Sequence, residues 1–143
     1  MTAQPATCLL EARMTQLSQA IEFVEAFCAE RGIGRHDMLR LSQVVEELFT
    51  NTVEHGHGGD CAAPVRLELE ASPRAVTLRY EDTAPPFDAL GRLAAQPPDV
   101  DAPLEQRKVG GLGILLVAQM AASVRHENED GWNRWRVELD RRG

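Results

Sequence analysis

Val65, Leu67 and Leu69 alternate with Arg66, Glu68 and Glu70, a Ser72-Pro73-Arg74 break follows, and Val76, Leu78 and Tyr80 resume the alternation. Two period-2 runs joined by a short turn make a β-hairpin with one apolar and one charged face. A lone hairpin is marginal in water, so the apolar face needs a cover from the rest of the chain.

Two upstream segments suit that task. From Thr15 as N-cap, Leu17, Ile21, Val24 and Cys28 recur at helical spacing until Gly32 and Gly34. A second helix is predicted from about Asp37 to His55, with Leu41, Val44, Val45, Leu48, Phe49, Thr52 and Val53 as its stripe, Gly56 closing it, and a loop to Asp60. Ala6 to Met14 reads as a short strand at a sheet edge. Glycine-rich Val109 to Gly113 opens into a mostly apolar helix from Ile114, and Ser123 to His126 with Trp132 to Leu139 form a second hairpin turned at Asp130 and Gly131. The order of strand, two helices, two strands, a long connection, helix and two strands predicts an α+β fold of two layers. In it a mixed sheet is covered on one face by helices.

The 143 residues are one domain's worth, enough to bury a core without disulfide or metal. Fifteen Lys and Arg against 22 Asp and Glu give a net charge of -7, which disfavours direct nucleic-acid binding. Cys8, Cys28 and Cys61 are odd in number and without a CxxC, so they suggest neither a disulfide framework nor zinc and suit the cytoplasm. No basic leader precedes an apolar run, and no stretch of about 18 apolar residues occurs, so neither secretion nor a membrane span is expected. The Pro-, Asp- and Ala-rich segment from Pro85 to Pro103 predicts an irregular, mobile connection of the kind used as a lid.

Three places can carry chemistry. Glu47, Asn51 and His55 lie four apart, one ridge of a helix presenting a carboxylate, an amide and an imidazole. Such a ridge can hold a hard cation through Asn51 while Glu47 accepts a proton; a plain solvated face is the competing reading. Asp82 ends a strand beside Pro85 and Pro86, where a carboxylate can take a hydrogen bond from an exocyclic amine with Phe87 as an apolar wall; Asp82 and Asp88 can equally be turn residues. Gly110, Gly111, Leu112 and Gly113 precede a helix, with Arg107 and Lys108 just upstream, so backbone N–H groups and the helix dipole can face a phosphate; tight packing explains the glycines as well. No GxxxxGK[ST] is present, which removes the P-loop. Arg13, His36, Trp132 and Trp135 are assigned no chemistry.

Taken in order, Glu47 with Asn51, Asp82 in DTAPPFD, and VGGLGI at 109–114 resemble the N, G1 and G2 boxes of the histidine-kinase-like, Bergerat-fold ATPases. More narrowly, and over nearly the whole chain, the sequence resembles the anti-sigma factor serine kinases of bacterial partner-switching modules. The resemblance implies a Bergerat ATP-binding fold with an ATP lid at about 88–110, and ATP and Mg2+ as cofactors. It implies that Glu47 is the general base toward a partner's serine and that Asn51 holds Mg2+. It further implies that Asp82 contacts the adenine amine, and that His55, Ala84, Phe87, Arg107, Lys108, Gly110, Gly111, Leu112 and Gly113 line the nucleotide site. The implied partners are a sigma factor, a STAS-domain anti-sigma factor antagonist and a second copy of the chain. Where the family's G1 box commonly reads DxG, this chain has Ala84, whose methyl narrows the adenine pocket. A sigma- or antagonist-binding module without catalysis, or a related serine kinase acting on a phosphatase-activating pathway, stand as alternatives.

Overall fold

The computed structural model describes residues 4–85 and 109–142, and of 109–112 the backbone only. β1 (Ala6–Glu11) leads through a 3-10 turn (Met14–Gln16) into α1 (Leu17–Arg31), followed by α2 (Arg35–Thr50) and a π turn (Asn51–Gly56). β2 (Pro64–Ala71) and β3 (Ala75–Asp82) form the first hairpin; α3 (Val109–Met120), β4 (Ser123–Glu129) and β5 (Trp132–Asp140) complete the described chain.

Alternation decides which face of the sheet is buried. Val65, Leu67 and Leu69 of β2, Val76, Leu78 and Tyr80 of β3, and Trp135, Val137 and Leu139 of β5 turn inward. They meet Ala20, Val24 and Phe27 of α1, Leu41, Val44, Val45, Leu48 and Phe49 of α2, and Ile114 and Val117 of α3 in one core. The opposite face is a lattice of cross-strand ion pairs, with Glu81 holding both Arg66 at 3.0 Å and Arg134 at 2.8 Å, and Arg79 meeting Glu68 at 3.2 Å. Each such exposed pair contributes little, so the lattice keeps that face wet rather than holding the fold together.

The two-layer α+β architecture is as expected, and β1 does lie at an edge of the five-stranded order β1-β2-β3-β5-β4. The expectation of a mixed sheet is corrected: every pairing is antiparallel. The crossover through α3 does return β4 in the direction of β3, as a helical connection usually does. The chain then folds back at once and inserts β5 between them, antiparallel to both. That hairpin turns at Asp130 and Gly131, with φ of 55° and 83°, the positive pair a two-residue turn requires. Thr15 does not cap α1; the 3-10 turn intervenes, and Asp60 Oδ1 accepts from Met14 N at 2.9 Å.

A latch closes the far end of the molecule. Buried Asp37 accepts from Arg142 N at 3.1 and 3.0 Å and from Arg40 Nη1 at 3.1 Å, while Arg40 also donates to Asp140 O at 2.9 Å and Met120 O at 3.1 Å. One guanidinium therefore ties the start of α2 to the ends of α3 and β5. Arg40→Ala removes a 3.1 Å guanidinium partner from a buried carboxylate and the ties to Met120 O and Asp140 O, and is expected to lower unfolding free energy by about 1–3 kcal/mol in a urea titration.

Candidate functional site

The site begins where the regular winding of α2 stops. From Asn51 the backbone widens to i→i+5 bonds, His57 N reaching Thr52 O at 2.9 Å. Such single-turn π segments recur at functional sites because they re-aim side chains. Here Asn51, Thr52 and Gly56 face a cleft whose other walls are Asp82, Ala84, Pro85, His126, Asn133 and Trp135. His55, on the same turn, is exposed and is not among the residues that line the cleft.

At the cleft floor the Asp82 carboxylate is held from three directions. Oδ1 accepts from Asn133 Nδ2 at 2.7 Å and from Ala84 N at 3.0 Å; Oδ2 accepts from Thr52 Oγ1 at 2.7 Å. An ionised carboxylate offers about four acceptor positions, so one is left for an incoming N–H. The Tyr80 hydroxyl lies 2.6 Å from Thr52 Oγ1, where either can donate, and both hydroxyls also reach Leu48 O, Thr52 at 3.0 Å and Tyr80 at 3.3 Å. Burial first, and then the charge of Asp82, push the Tyr80 hydroxyl well above its ordinary range, opposed by the hydrogen bond to Thr52. Tyr80 therefore stays neutral and can donate. A raised pKa in the folded state means its contribution is complete below pH 10 and lost as pH rises beyond it. Tyr80→Phe is expected to flatten the fall of the urea midpoint from about pH 10 upward relative to the parent chain.

Asn133 was not foreseen as a site residue, nor were Thr52, Tyr80, His126 and Trp135. A signal for the first existed: in the alternation of β5, Asn133 falls on the inward side with Trp135 and Val137, where an amide needs partners. It finds them in Asp82, in Ala84 O at 2.9 Å, and in Asn128 Nδ2, which donates to its Oδ1 at 3.1 Å. His126 stacks on Trp135 with centroids 4.2 Å apart.

Ala84 lies on the cleft. A Cβ at position 56 would meet the Ala84 methyl at 2.6 Å, so Gly56 makes room for it. Among the described residues the cleft is partly open to solvent.

Asn51 Oδ1 is buried and has no hydrogen-bond partner among the described residues. An orphaned acceptor costs about 1–3 kcal/mol, and an amide oxygen is a ligand for hard cations, so this atom fits Mg2+. Glu47 lies one turn earlier on α2, outside the cleft lining, with Gly113 against its carboxylate and Gln43 Nε2 donating to Oε1 at 3.4 Å. The glycine run does not precede α3 but forms its first turns: Gly110, Gly111, Leu112 and Gly113 all lie within Val109–Met120. The first four N–H groups of a helix have no intrahelical partner. Phe87, Asp88, Arg107, Lys108 and the lid expected at about 88–110 lie outside the described residues, save the helical Val109 and Gly110. No helix among the described residues is long and apolar enough to cross a membrane, and the three cysteines are free.

The sequence profile of the histidine kinase-like ATPase domain matches residues 10–138. No protein of curated function matches the chain. Among solved structures, the crystal structure of the RsbU and RsbW domains of Rv1364c from Mycobacterium tuberculosis is similar at TM-score 0.64 and 15% identity, covering 96% of this chain and 32% of that one. This chain thus spans about a third of that protein's length. The catalytic domain of histidine kinase ThkA is similar at TM-score 0.52 and 13% identity, covering 95% of this chain and 96% of that one. Histidine kinase AdeS of Acinetobacter baumannii is similar at TM-score 0.51 and 13% identity, covering 99% and 70%. At these identities the likeness is one of fold.

Proposed function

The chain belongs to the histidine kinase-like ATPase family, and from that premise we propose that it is an ATP-dependent protein serine kinase and anti-sigma factor of a partner-switching module. Its partners are a sigma factor and a STAS-domain antagonist, which it phosphorylates on serine. The observation that carries the reading is the convergence of an orphaned Asn51 oxygen and a triply held Asp82 carboxylate on one cleft, with Glu47 a single turn away. The RsbW domain in the structural likeness at TM-score 0.64 supports it.

Asp82, with one acceptor position open, receives the exocyclic amine of adenine. Asn51 holds Mg2+, which when bound neutralises charge on the phosphates. Glu47 accepts the proton of the antagonist's serine as its Oγ bonds to the γ-phosphorus; the bond from that phosphorus to the bridging oxygen breaks and ADP departs. The work of the protein is positioning and charge placement. The phosphoserine then carries about -1.5 to -2 charge, which disfavours its return to a chain of net charge -7 and frees the kinase to hold the sigma factor. A homodimer through the edge of β1, which pairs only with β2 among the described residues and where Leu9 is 70% exposed, belongs to the same reading.

Ala84, whose methyl crowds position 56 on the cleft, favours a second reading, a binding module for the same partners without catalysis. Labelled ATP, Mg2+ and a purified STAS-domain antagonist separate the two. Label on an antagonist serine is the outcome of the first reading; binding of the antagonist without label leaves the second.

A further inference from the structure

Gly113 lies inside α3, and its φ is not positive, so the backbone does not call for glycine. Helix propensity argues against it by roughly 1 kcal/mol relative to alanine. What excludes a side chain is Glu47: a Cβ at 113 would overlap Oε2 and come within 3.4 Å of Cδ, while staying in ordinary contact with the Glu47 Cβ at 3.8 Å. The group that must give way is the far end of a flexible side chain. An added methyl therefore displaces the carboxylate and leaves the packing of α2 on α3 in place. The other oxygen, Oε1, is steadied by Gln43 from one turn back on α2.

We propose that Gly113 is a positioning residue that seats the Glu47 carboxylate, rather than a backbone donor to phosphate. The inference rests on the reading of Glu47 as the general base. Loss of the seat therefore acts on transfer and not on nucleotide affinity, because a displacement of about 1 Å at a reacting group can cost 10²-fold in rate.

The test uses the full chain and Gly113→Ala. In the parent, an NMR cross-relaxation peak is expected between a Gly113 α-proton and the Glu47 γ-methylene. In the variant the urea midpoint is unchanged or raised, the ATP dissociation constant stays within about two-fold, and the single-turnover rate falls about 10²-fold. In a Glu47→Ala background the same change costs nothing more, since the group it displaces is gone. Weaker ATP binding by tenfold or more, with rate losses that multiply in the double variant, overturns the proposal in favour of phosphate contact. So does a missing cross-peak, or a Gly113→Ala chain that fails to fold, since then the yielding group is not the carboxylate. If the parent transfers no phosphate to any serine, the kinase reading falls by itself, while the cross-peak and the ATP affinity still decide whether Gly113 seats Glu47.

Discussion

Glu47→Ala should bind ATP as the parent does and yet lose at least ~10² in the rate of transfer to the antagonist serine. The side chain lies outside the cleft lining and hydrogen-bonds only Gln43 among the described residues, so its removal leaves the Asp82 network and the Asn51 oxygen untouched. Little stability is at stake either, because the bond it loses is long and exposed. Single-turnover transfer measured beside ATP titration separates the two quantities. An unchanged rate removes Glu47 from the chemistry, and a large loss of ATP affinity moves it into the binding site.

Asn51→Ala should do the reverse. The parent keeps a buried amide oxygen without a partner, and an apolar replacement at such a position is neutral or stabilising. Alanine is also the better helix former. The nucleotide-free variant is therefore expected to unfold at the same or higher urea concentration, by up to about 1 kcal/mol. Mg2+-dependent ATP binding should fall at least tenfold, about 1.4 kcal/mol, with the loss of one oxygen ligand. Thermal shifts with and without Mg2+-ATP read both effects in one series, since a ligand stabilises only as far as it binds the folded state. A variant less stable without ligand, or equally stabilised with it, removes the metal role from Asn51. Proteins commonly give up stability at functional positions, and this orphaned atom fits that pattern.

What the sequence made legible is what depends on local periodicity. The inward set Val65, Leu67, Leu69, Val76, Leu78 and Tyr80 follows from alternation alone, and the Asp130-Gly131 turn from the demand for positive φ. Strand order was not legible, because inserting β5 between β3 and β4 is settled by which apolar faces meet, and no short motif records it. The π turn at Asn51–Gly56 was hidden for a related reason: no proline or run of glycines precedes Asn51, and the stripe of α2 continues through Thr52 and Val53 in either winding. On that turn Thr52 reaches Asp82 and Asn51 lines the same cleft, while His55 is exposed. Glu47, Asn51 and Asp82 were found because their types and order carry chemistry. Thr52 and Asn133 were not, because they act by holding Asp82 in place, and the partner of a buried amide is fixed only once the strands are paired.

Side-chain amide resonances offer the most direct check that a single cleft receives the nucleotide. With Mg2+-ATP added to the full-length chain, the Nδ2 signals of Asn51 and Asn133 should shift together and saturate at one ATP concentration, since both side chains line the cleft and Asn133 donates to Asp82. Signals that stay fixed while ATP binds, or that saturate at different concentrations, place the nucleotide elsewhere and end the case for this site.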